Sequence, residues 1–374
     1  MAHLSSQVKV DWSPDPDGLL KHAREVAEYA RAQLEDDGIE DEPSLPLFPK
    51  GKRISSVVGP PLRTLPPEQA KLLLANSISP VPLHKTLVLL DCLRAHRDKR
   101  YYDHECLALA KALVTSISNL HFGPEVGVGP AKVDSPVVAP WLAEVQTIGD
   151  DLRGLRSIHG LPARVHRADS RRIAEVVEAQ SVDAVITSPP YPNEKDYTRT
   201  TRLESVLFGF IKNVEGLRAL KQGLVRSNTR SVYRDDDDDQ WVAENQDIQG
   251  IAEAIESRRL DLGKTSGFER MYPRVTKLYF GGMARHLADL RTVLRPGAML
   301  AYVVGDQASY LRVMIRTGKL LMEIGESLGY EGVGIDLFRT RLATATKEQL
   351  REEVVILRWP RKGRSARGRS TVFS

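Results

Sequence analysis

The spacing of apolar residues changes near residue 163 of this 374-residue chain. Before that point, apolar positions recur at the three- and four-residue intervals of packed helices. This spacing predicts helices over residues 19–34, 66–75, 83–96, 102–117 and 137–155. After it, apolar runs typical of strands predict a sheet with strands over 163–170, 184–186, 298–304, 330–339 and 352–359. Helical patterns separate them over 171–179, 206–211, 278–293 and 311–328. A helical region followed by an α/β region is expected.

One of the predicted strands ends in an unusual turn. The apolar run Ala184–Ile186 is followed by Thr187, Ser188, Pro189, Pro190 and Tyr191. Two consecutive prolines cannot donate to a sheet ladder, so the strand must stop there. Open α/β sheets bind their ligands at the carboxyl ends of strands. A hydroxyl, backbone carbonyls and an aromatic ring at such an end suit a flat substrate with an exocyclic amine.

Composition narrows the class of protein without deciding it. The chain has the composition of a globular protein, and it contains no apolar run near the ~20 residues of a membrane span. No signal-peptide pattern precedes the first charged residues, so a cytoplasmic location is expected. Cys92 and Cys106 are the only cysteines, which excludes a disulfide framework and a four-cysteine zinc site. The histidines have no metal-ligand spacing, and a net charge of +4 is too small to indicate nucleic acid.

A family resemblance rests on the order of several motifs. A strand ending in Asp169, a helix, a strand and the turn Ser188–Tyr191 follow one another, and Leu294–Gly297, a strand and Gly305–Gln307 come later. This order resembles the amino-group DNA methyltransferases, which methylate the N4 amine of cytosine or the N6 amine of adenine. Serine at position 188 resembles the cytosine-N4 type. The resemblance covers residues 160–360 well and the helical region more loosely.

The resemblance implies a fold, a cofactor and a set of site residues. The expected fold is a Rossmann-like, S-adenosylmethionine-dependent methyltransferase sheet with a large helical region. Ser188, Pro189, Pro190 and Tyr191 would be catalytic, and Asp169 and Thr187 would lie beside the S-adenosylmethionine cofactor. Asp169 or Ser170 could equally cap a helix.

Double-stranded DNA is the partner that the resemblance implies. Lys195, Arg199 and Arg202 lie just downstream of the turn and are predicted to contact it, although the arginines could also be ordinary surface residues. The five acids Asp235–Asp239 are predicted to form a solvated loop that faces away from DNA. The tail after residue 360 is basic and rich in glycine and serine; it is predicted to be disordered, and it could bind phosphate or simply aid solubility.

Two parts of the family pattern are not identified in the sequence. They are a Phe-x-Gly-x-Gly cofactor loop and the acidic residue that holds the ribose hydroxyls. The glycine-rich stretch Phe122–Gly129 follows a helix and contains a proline, so it is interpreted as a connector. In relatives with this order both parts precede a segment similar to Gln7–Trp12. We therefore expect a truncated or split enzyme, with a sheet incomplete at its N-terminal strands. The cofactor loop would then come from a second polypeptide or be absent.

The predicted organisation has three parts. Residues 1–160 form a helical, target-recognition or inserted region, 161–360 form the catalytic core with a helical insertion over 205–270, and 361–374 form the tail. The leading hypothesis is a site-specific DNA methyltransferase of restriction-modification or phage defence. A methyltransferase for RNA or another amine, and an inactive DNA-binding remnant or subunit of a split enzyme, remain as alternatives.

Overall fold

The computed structural model describes residues 1–41, 61–123, 125–155, 162–342 and 349–361. The chain divides into two compact units. The first unit contains residues 1–167 and 197–218, and the second contains residues 168–196 and 219–374.

The helices and strands are numbered in chain order. The helices are α1 (Ala2–Val10), α2 (Pro16–Asp36), α3 (Pro67–Ala70), α4 (Pro80–Ala95), α5 (Tyr102–Ala112), α6 (Val138–Leu155), α7 (Tyr197–Thr200), α8 (Arg202–Leu207), α9 (Val214–Gln222), α10 (Gln246–Asp261), α11 (Gly267–Leu290) and α12 (Thr317–Ser327). The strands are β1 (Leu120–Phe122), β2 (Val126–Val128), β3 (Val182–Thr187), β4 (Leu294–Gly305), β5 (Glu331–Leu342) and β6 (Gln349–Arg358).

The first unit is a packed group of helices, as the apolar spacing predicts. Asp15 caps α2 by accepting a hydrogen bond from the Gly18 amide at 2.8 Å. The core is built around Trp141, whose ring is fully buried and whose Nε1 donates to the Glu105 carbonyl at 3.0 Å. The predicted helix over 66–75 is mostly wrong, because only Pro67–Ala70 is helical there.

The glycine-rich stretch belongs to this first unit. Its described residues form a small antiparallel hairpin of β1 and β2, with Phe122 paired to Val126 and Leu120 to Val128. A nucleotide-binding loop follows a strand and opens a helix, whereas this hairpin does not open a helix.

The second unit contains the sheet, and the predicted α/β fold class is confirmed. The strand order is β3-β4-β6-β5. β3 and β4 are parallel, whereas β6 runs antiparallel to both of its neighbours. The four predicted strands from 182 onward are therefore all present.

The two faces of this sheet differ in burial. Leu300, Tyr302 and Val304 of β4 are buried in the core that α11 and α12 complete. The side chains at alternate positions point the other way, and Ile186 of β3 is 84% exposed. The helices therefore cover one face of the sheet near β3.

Several predicted elements are wrong in this unit. Residues 163–169 form no strand; most of them are exposed, and an extended segment without a pairing partner gains no ladder hydrogen bonds. The helix predicted over 171–179 is a 3₁₀ helix over Ser170–Glu175. The helix predicted from residue 311 begins only at Thr317, because Leu311 and Arg312 have positive φ angles.

None of the helices in the described ranges is both long and apolar enough to cross a membrane. Nor do the described side chains include a group of histidine, cysteine and acidic residues that could hold a metal ion. Residues 362–374 of the predicted basic tail lie outside the described residues.

Candidate active site

The Ser188–Tyr191 turn lies where the sequence predicts, at the carboxyl end of β3. Thr187 is the last residue of the strand and pairs with Tyr302 of β4. Ser188 is exposed, whereas Pro189, Pro190 and Tyr191 are half-buried. The parallel arrangement of β3 and β4 brings their carboxyl ends to the same edge of the sheet. The turn therefore lies beside the segment Gly305–Gln307.

Gly305 provides the closest approach to the turn. A Cβ atom at this position would lie 3.2 Å from Cε2 of Tyr191, 3.4 Å from Cγ of Glu352 and 3.5 Å from Nε2 of Gln307. The Tyr191 ring thus packs against bare backbone at the end of β4. An alanine at this position would require the Tyr191 ring to shift by a few tenths of an ångström, whereas its contacts with Glu352 and Gln307 would be close to ordinary van der Waals distances.

Three buried carboxylates line this edge of the sheet, and each holds an arginine. Asp306 accepts from Arg316 at 2.5 Å, Glu352 accepts from Arg339, and Glu353 is 2.7 Å from Arg351. Burial raises the pKa of Glu353, and the negative charge of Asp306 adds to that effect. The arginines offset the free-energy cost of burying these charges. The edge therefore presents guanidinium groups that are paired with buried carboxylates.

The loop after the turn is tied to the segment 221–229. Glu194, at a positive φ of 66°, accepts hydrogen bonds from the Thr229 amide and hydroxyl, both at 2.9 Å. Asp196 forms an ion pair with Lys221 at 2.7 Å. The carbonyl of Lys195 accepts from Asn228, while the Lys195 side chain is exposed. These bonds fix the path of the chain directly downstream of Tyr191.

Asp169 has the capping role that the sequence allowed. It precedes the 3₁₀ helix, and its carboxylate accepts from the backbone and the guanidinium of Arg171 at 2.7–3.0 Å. Burial alone would raise the pKa of Asp169, but the hydrogen bonds from Arg171 outweigh it and lower the pKa. Both carboxylate oxygens are therefore already engaged.

The acidic run Asp235–Asp239 is not a solvated loop, and this prediction is wrong. Asp238 is buried and pairs with Arg171 and, at 3.1 Å, with Arg285. Asp236 pairs with Arg226 at 2.6 Å. These acids line a polar cavity of about 420 Å³ together with Asp169 and the arginines. Asp238 is a counter-ion to arginines 67 and 47 positions away in the chain, which the local sequence cannot reveal.

The predicted DNA-contacting residues fall in different parts of the structure. Lys195 belongs to the second unit with Ser188, whereas Arg199 and Arg202 belong to the first. The Arg202 guanidinium donates to Thr198 Oγ1 at 2.6 Å and to the Leu72 carbonyl at 3.4 Å. It thereby braces helix α8 within its own unit.

Glu352 and Arg339 lie beside the candidate site but are not singled out by the sequence analysis, which names Gly305 only as part of a motif. Arg339 lies near enough to Tyr191 for the tyrosine to influence its pKa, which Glu352 raises most. A signal was present in the sequence, since a glutamate pair lies within strand β6, directly before its apolar run, opposite the Gly-Asp-Gln end of β4. That pairing is visible only once the sheet is built.

The sequence of this chain is similar to the sequences of known proteins. Over 205 residues, or 52% of this chain, the sequence is 28% identical to the type II methyltransferase M.AvaI of Nostoc sp. strain PCC 7120 and to the same enzyme of Anabaena variabilis. It is 25% identical over 198 residues to the type II methyltransferase M.BsoBI of Geobacillus stearothermophilus, covering 49% of this chain. The resemblance to the DNA methyltransferases is confirmed. No family model matches the chain.

The chain spans less than half the length of these methyltransferases, with 41% of M.AvaI and 38% of M.BsoBI covered. A DNA modification methylase from Thermus thermophilus superposes on 54% of this chain and 56% of its own with 15% identity and a TM-score of 0.25. At that TM-score the superposition does not establish a shared fold. The relatives' names give no support to a second polypeptide.

The described residues do not fit an S-adenosylmethionine cofactor at the predicted position. Asp169 would have to give up bonds to Arg171 in order to hold a ribose or an adenine. The glycine-rich stretch forms a β-hairpin in the other unit. By contrast, the Ser188–Tyr191 turn presents an exposed serine and a half-buried aromatic ring at the carboxyl end of β3.

Proposed function

We propose that this chain carries the catalytic part of a site-specific DNA methyltransferase that methylates the exocyclic amine of a flipped base, in restriction-modification or phage defence. The supporting observation is the position of the Ser188–Tyr191 turn. It lies at the carboxyl end of a parallel strand with its tyrosine against Gly305, in a chain related to type II methyltransferases.

The turn supplies the hydrogen-bond acceptors that methylation of an exocyclic amine requires. An exocyclic amine is conjugated with its ring, so its lone pair becomes nucleophilic only as the nitrogen turns tetrahedral. The Ser188 hydroxyl and the Pro189 carbonyl accept the amine hydrogens in that geometry and stabilise the developing positive charge. Pro189 and Pro190 fix the backbone, so these acceptors are already oriented when the base arrives.

Tyr191 would hold the base outside the duplex. A base inside the double helix cannot reach the turn, and flipping it out loses the stacking energy between it and the neighbouring bases. The half-buried Tyr191 ring rests on Gly305 and offers a stacking surface in return. The serine at position 188 favours cytosine N4 over adenine N6 as the target.

S-Adenosylmethionine is the proposed methyl donor, because it supplies the electrophilic methyl group that such an amine requires. Of the two residues that the resemblance assigns to the cofactor, Thr187 keeps its predicted place beside the turn, whereas Asp169 is paired with Arg171 and does not fit that role. The roles assigned to the turn do not depend on how the donor is held.

Methyl transfer to DNA tests the proposal directly. The purified chain is incubated with mixed-sequence duplex DNA and millimolar S-adenosylmethionine, and the product nucleosides are measured by mass spectrometry. We expect N4-methylcytosine, and a loss of roughly two orders of magnitude for Ser188→Ala or Tyr191→Ala. Ser181→Ala, at the opposite end of β3, is the matched control and should retain activity.

Full activity in Ser188→Ala or Tyr191→Ala would contradict the site assignment. N6-methyladenine as the only product would overturn the base choice and keep the reaction class. A folded chain that binds duplex DNA but transfers no methyl group would favour the alternative of an inactive DNA-binding remnant.

A further inference from the structure

The β5–β6 hairpin projects past the rest of the sheet at the edge that carries the candidate active site. β4 makes its last pairing at Gly305 with Glu352. β5 and β6 continue for three further pairs, from Thr340–Arg351 to Leu342–Gln349. At the rise of a strand these pairs extend roughly 10 Å beyond β4. The far end of the hairpin therefore stands next to the edge where Tyr191 meets Gly305.

This end of the hairpin exposes apolar side chains. Phe338 is 65% exposed and Leu342 is 63% exposed. Phe338 is also the extra residue of a β-bulge, because Leu337 pairs with Glu353 and Arg339 with the adjacent Glu352. Bulges re-aim side chains and are frequent beside active sites. Large apolar groups held in solvent are costly unless something covers them.

The same end carries arginines in prepared positions. Arg339, Arg341 and Arg351 each pair through a guanidinium nitrogen with Glu352 or Glu353. The two glutamates are buried, whereas the arginine side chains are 45–65% exposed. An approaching polyanion therefore meets the cations first. Because the carboxylates already order the arginines, less side-chain entropy is lost on binding.

We propose that Phe338, Arg339 and Arg341, the distal hairpin surface, bind double-stranded DNA beside the Ser188–Tyr191 turn. Arg339 and Arg341 share the face of the hairpin that carries Glu352. They contact backbone phosphates, and Phe338 contacts the bases next to the one that is extruded. This inference rests on the proposed function for its partner. Apolar side chains flanked by cations match a duplex that is opened locally, since unstacked bases offer apolar faces between phosphates.

Contacts within the surface connect it to the site. The Arg339 guanidinium carbon is 6.0 Å from the centre of the Phe338 ring, and Arg339 also pairs with Glu352. Cγ of Glu352 lies against Gly305, which in turn contacts the Tyr191 ring. Phe338, Arg339, Glu352, Gly305 and Tyr191 therefore form one series of neighbouring residues.

DNA binding without a methyl donor tests this surface. Fluorescence anisotropy with a labelled duplex is measured over a range of salt concentrations. Arg341→Gln should weaken binding roughly tenfold and lower the slope of log K against log salt by about 1, the loss of one phosphate contact. Arg358→Gln is the matched control: Arg358 is equally 45% exposed and glutamate-paired, but it lies at the opposite end of β6. It should change neither quantity.

The apolar part of the surface has a different signature. Phe338→Ala should weaken binding roughly tenfold and leave the salt slope unchanged, because no phosphate contact is lost. Val333→Ala, 47% exposed near the start of β5, should bind like the wild type. Melting temperatures of all four variants show whether each one is folded.

The outcomes separate this inference from the proposed function. Loss of methyl transfer in Ser188→Ala, with the Arg341 and Phe338 effects on DNA binding present, would concern only the turn and leave the hairpin proposal intact. Unchanged affinity and slope in Arg341→Gln and Phe338→Ala would overturn the hairpin proposal while leaving methyl transfer intact. Dimerisation of the wild-type chain that Phe338→Ala abolishes, with DNA affinity unaffected, would show that a second copy covers the surface instead and would also overturn it.

Discussion

At the scale of single residues, the site depends on a position without a side chain. Gly305 lets the Tyr191 ring, Glu352 and Gln307 converge on one stretch of backbone. The sequence analysis names Tyr191 and Gly305 in separate motifs but does not reveal their contact, because 114 positions of chain separate them and only the parallel pairing of β3 and β4 brings them together.

Gly305→Ala is expected to reduce methyl transfer by roughly tenfold or more, because a methyl group 3.2 Å from Cε2 of Tyr191 must displace the ring from its position. The comparison is Gly334→Ala in β5, where an added Cβ meets nothing within 4 Å. Steady-state methylation and thermal melting of both variants give the result. Equal activity in the two variants would show that the ring position is unimportant.

A buried carboxyl in the first unit gives a second residue-scale prediction. Glu204 is 5% exposed, and its Oε2 has no hydrogen-bond partner among the described residues. Burial raises its pKa from 4.5 to about 7. The folded protein thus binds an extra proton in that interval. This contribution to stability is complete below pH 4.5 and is lost as the pH rises through 7.

Glu204→Gln is expected to stabilise the protein at pH 8 by roughly 3 kcal/mol relative to the wild type, and to have little effect at about pH 4. The amide resembles the protonated carboxyl and never pays the cost of ionisation in the core. Urea unfolding of both proteins across this pH range measures the difference. Glu25→Gln, on the exposed face of α2, serves as the control. A constant difference at every pH would contradict the prediction.

At the scale of elements, predictions succeeded where the deciding residues are neighbours in the chain and failed where they are distant, as in the contacts of α11 with Asp238. Strand β3 could be predicted because the prolines that end it are local. The burial of Asp238 could not, because its partners Arg171 and Arg285 are 67 and 47 positions away. The segment 163–169 has the composition of a strand but pairs with no other strand. Composition alone does not determine which segments pair.

The packing of α11 on the 3₁₀ helix Asp238–Val242 makes a testable prediction. A Cβ atom at Gly281 would lie 1.8 Å from the backbone oxygen of Asp238, so Gly281→Ala should destabilise the second unit by roughly 3 kcal/mol. Gly250→Ala in α10 meets nothing within 4 Å and should instead stabilise by up to about 1 kcal/mol, since alanine favours helix. Urea unfolding decides; effects of the same sign would show that the close approach is relieved by backbone movement.

At the scale of the whole molecule, the two units contain different parts of the predicted site. The Ser188–Tyr191 turn, Asp169 and the β5–β6 hairpin belong to the second unit, whereas the glycine-rich stretch Phe122–Gly129 belongs to the first. The proposed methylation requires both a substrate amine and a methyl donor, and the roles proposed for the turn concern only the amine.

The donor side gives the last prediction: the purified chain should bind S-adenosylmethionine more weakly than the micromolar range. A charge-assisted contact to the cofactor is worth ~1.5–3 kcal/mol, and Asp169 cannot provide one without releasing Arg171. Calorimetric titration of the wild-type chain with S-adenosylmethionine measures this affinity. A parallel titration with duplex DNA shows that the protein is folded. Micromolar binding that Gly127→Val abolishes would locate the cofactor at the β1–β2 hairpin, because an added Cβ at Gly127 meets nothing within 4 Å and should not disturb the fold. Micromolar binding that Gly127→Val leaves intact but Asp169→Asn removes would restore Asp169 to its predicted role, and would mean that Arg171 turns away when the cofactor arrives.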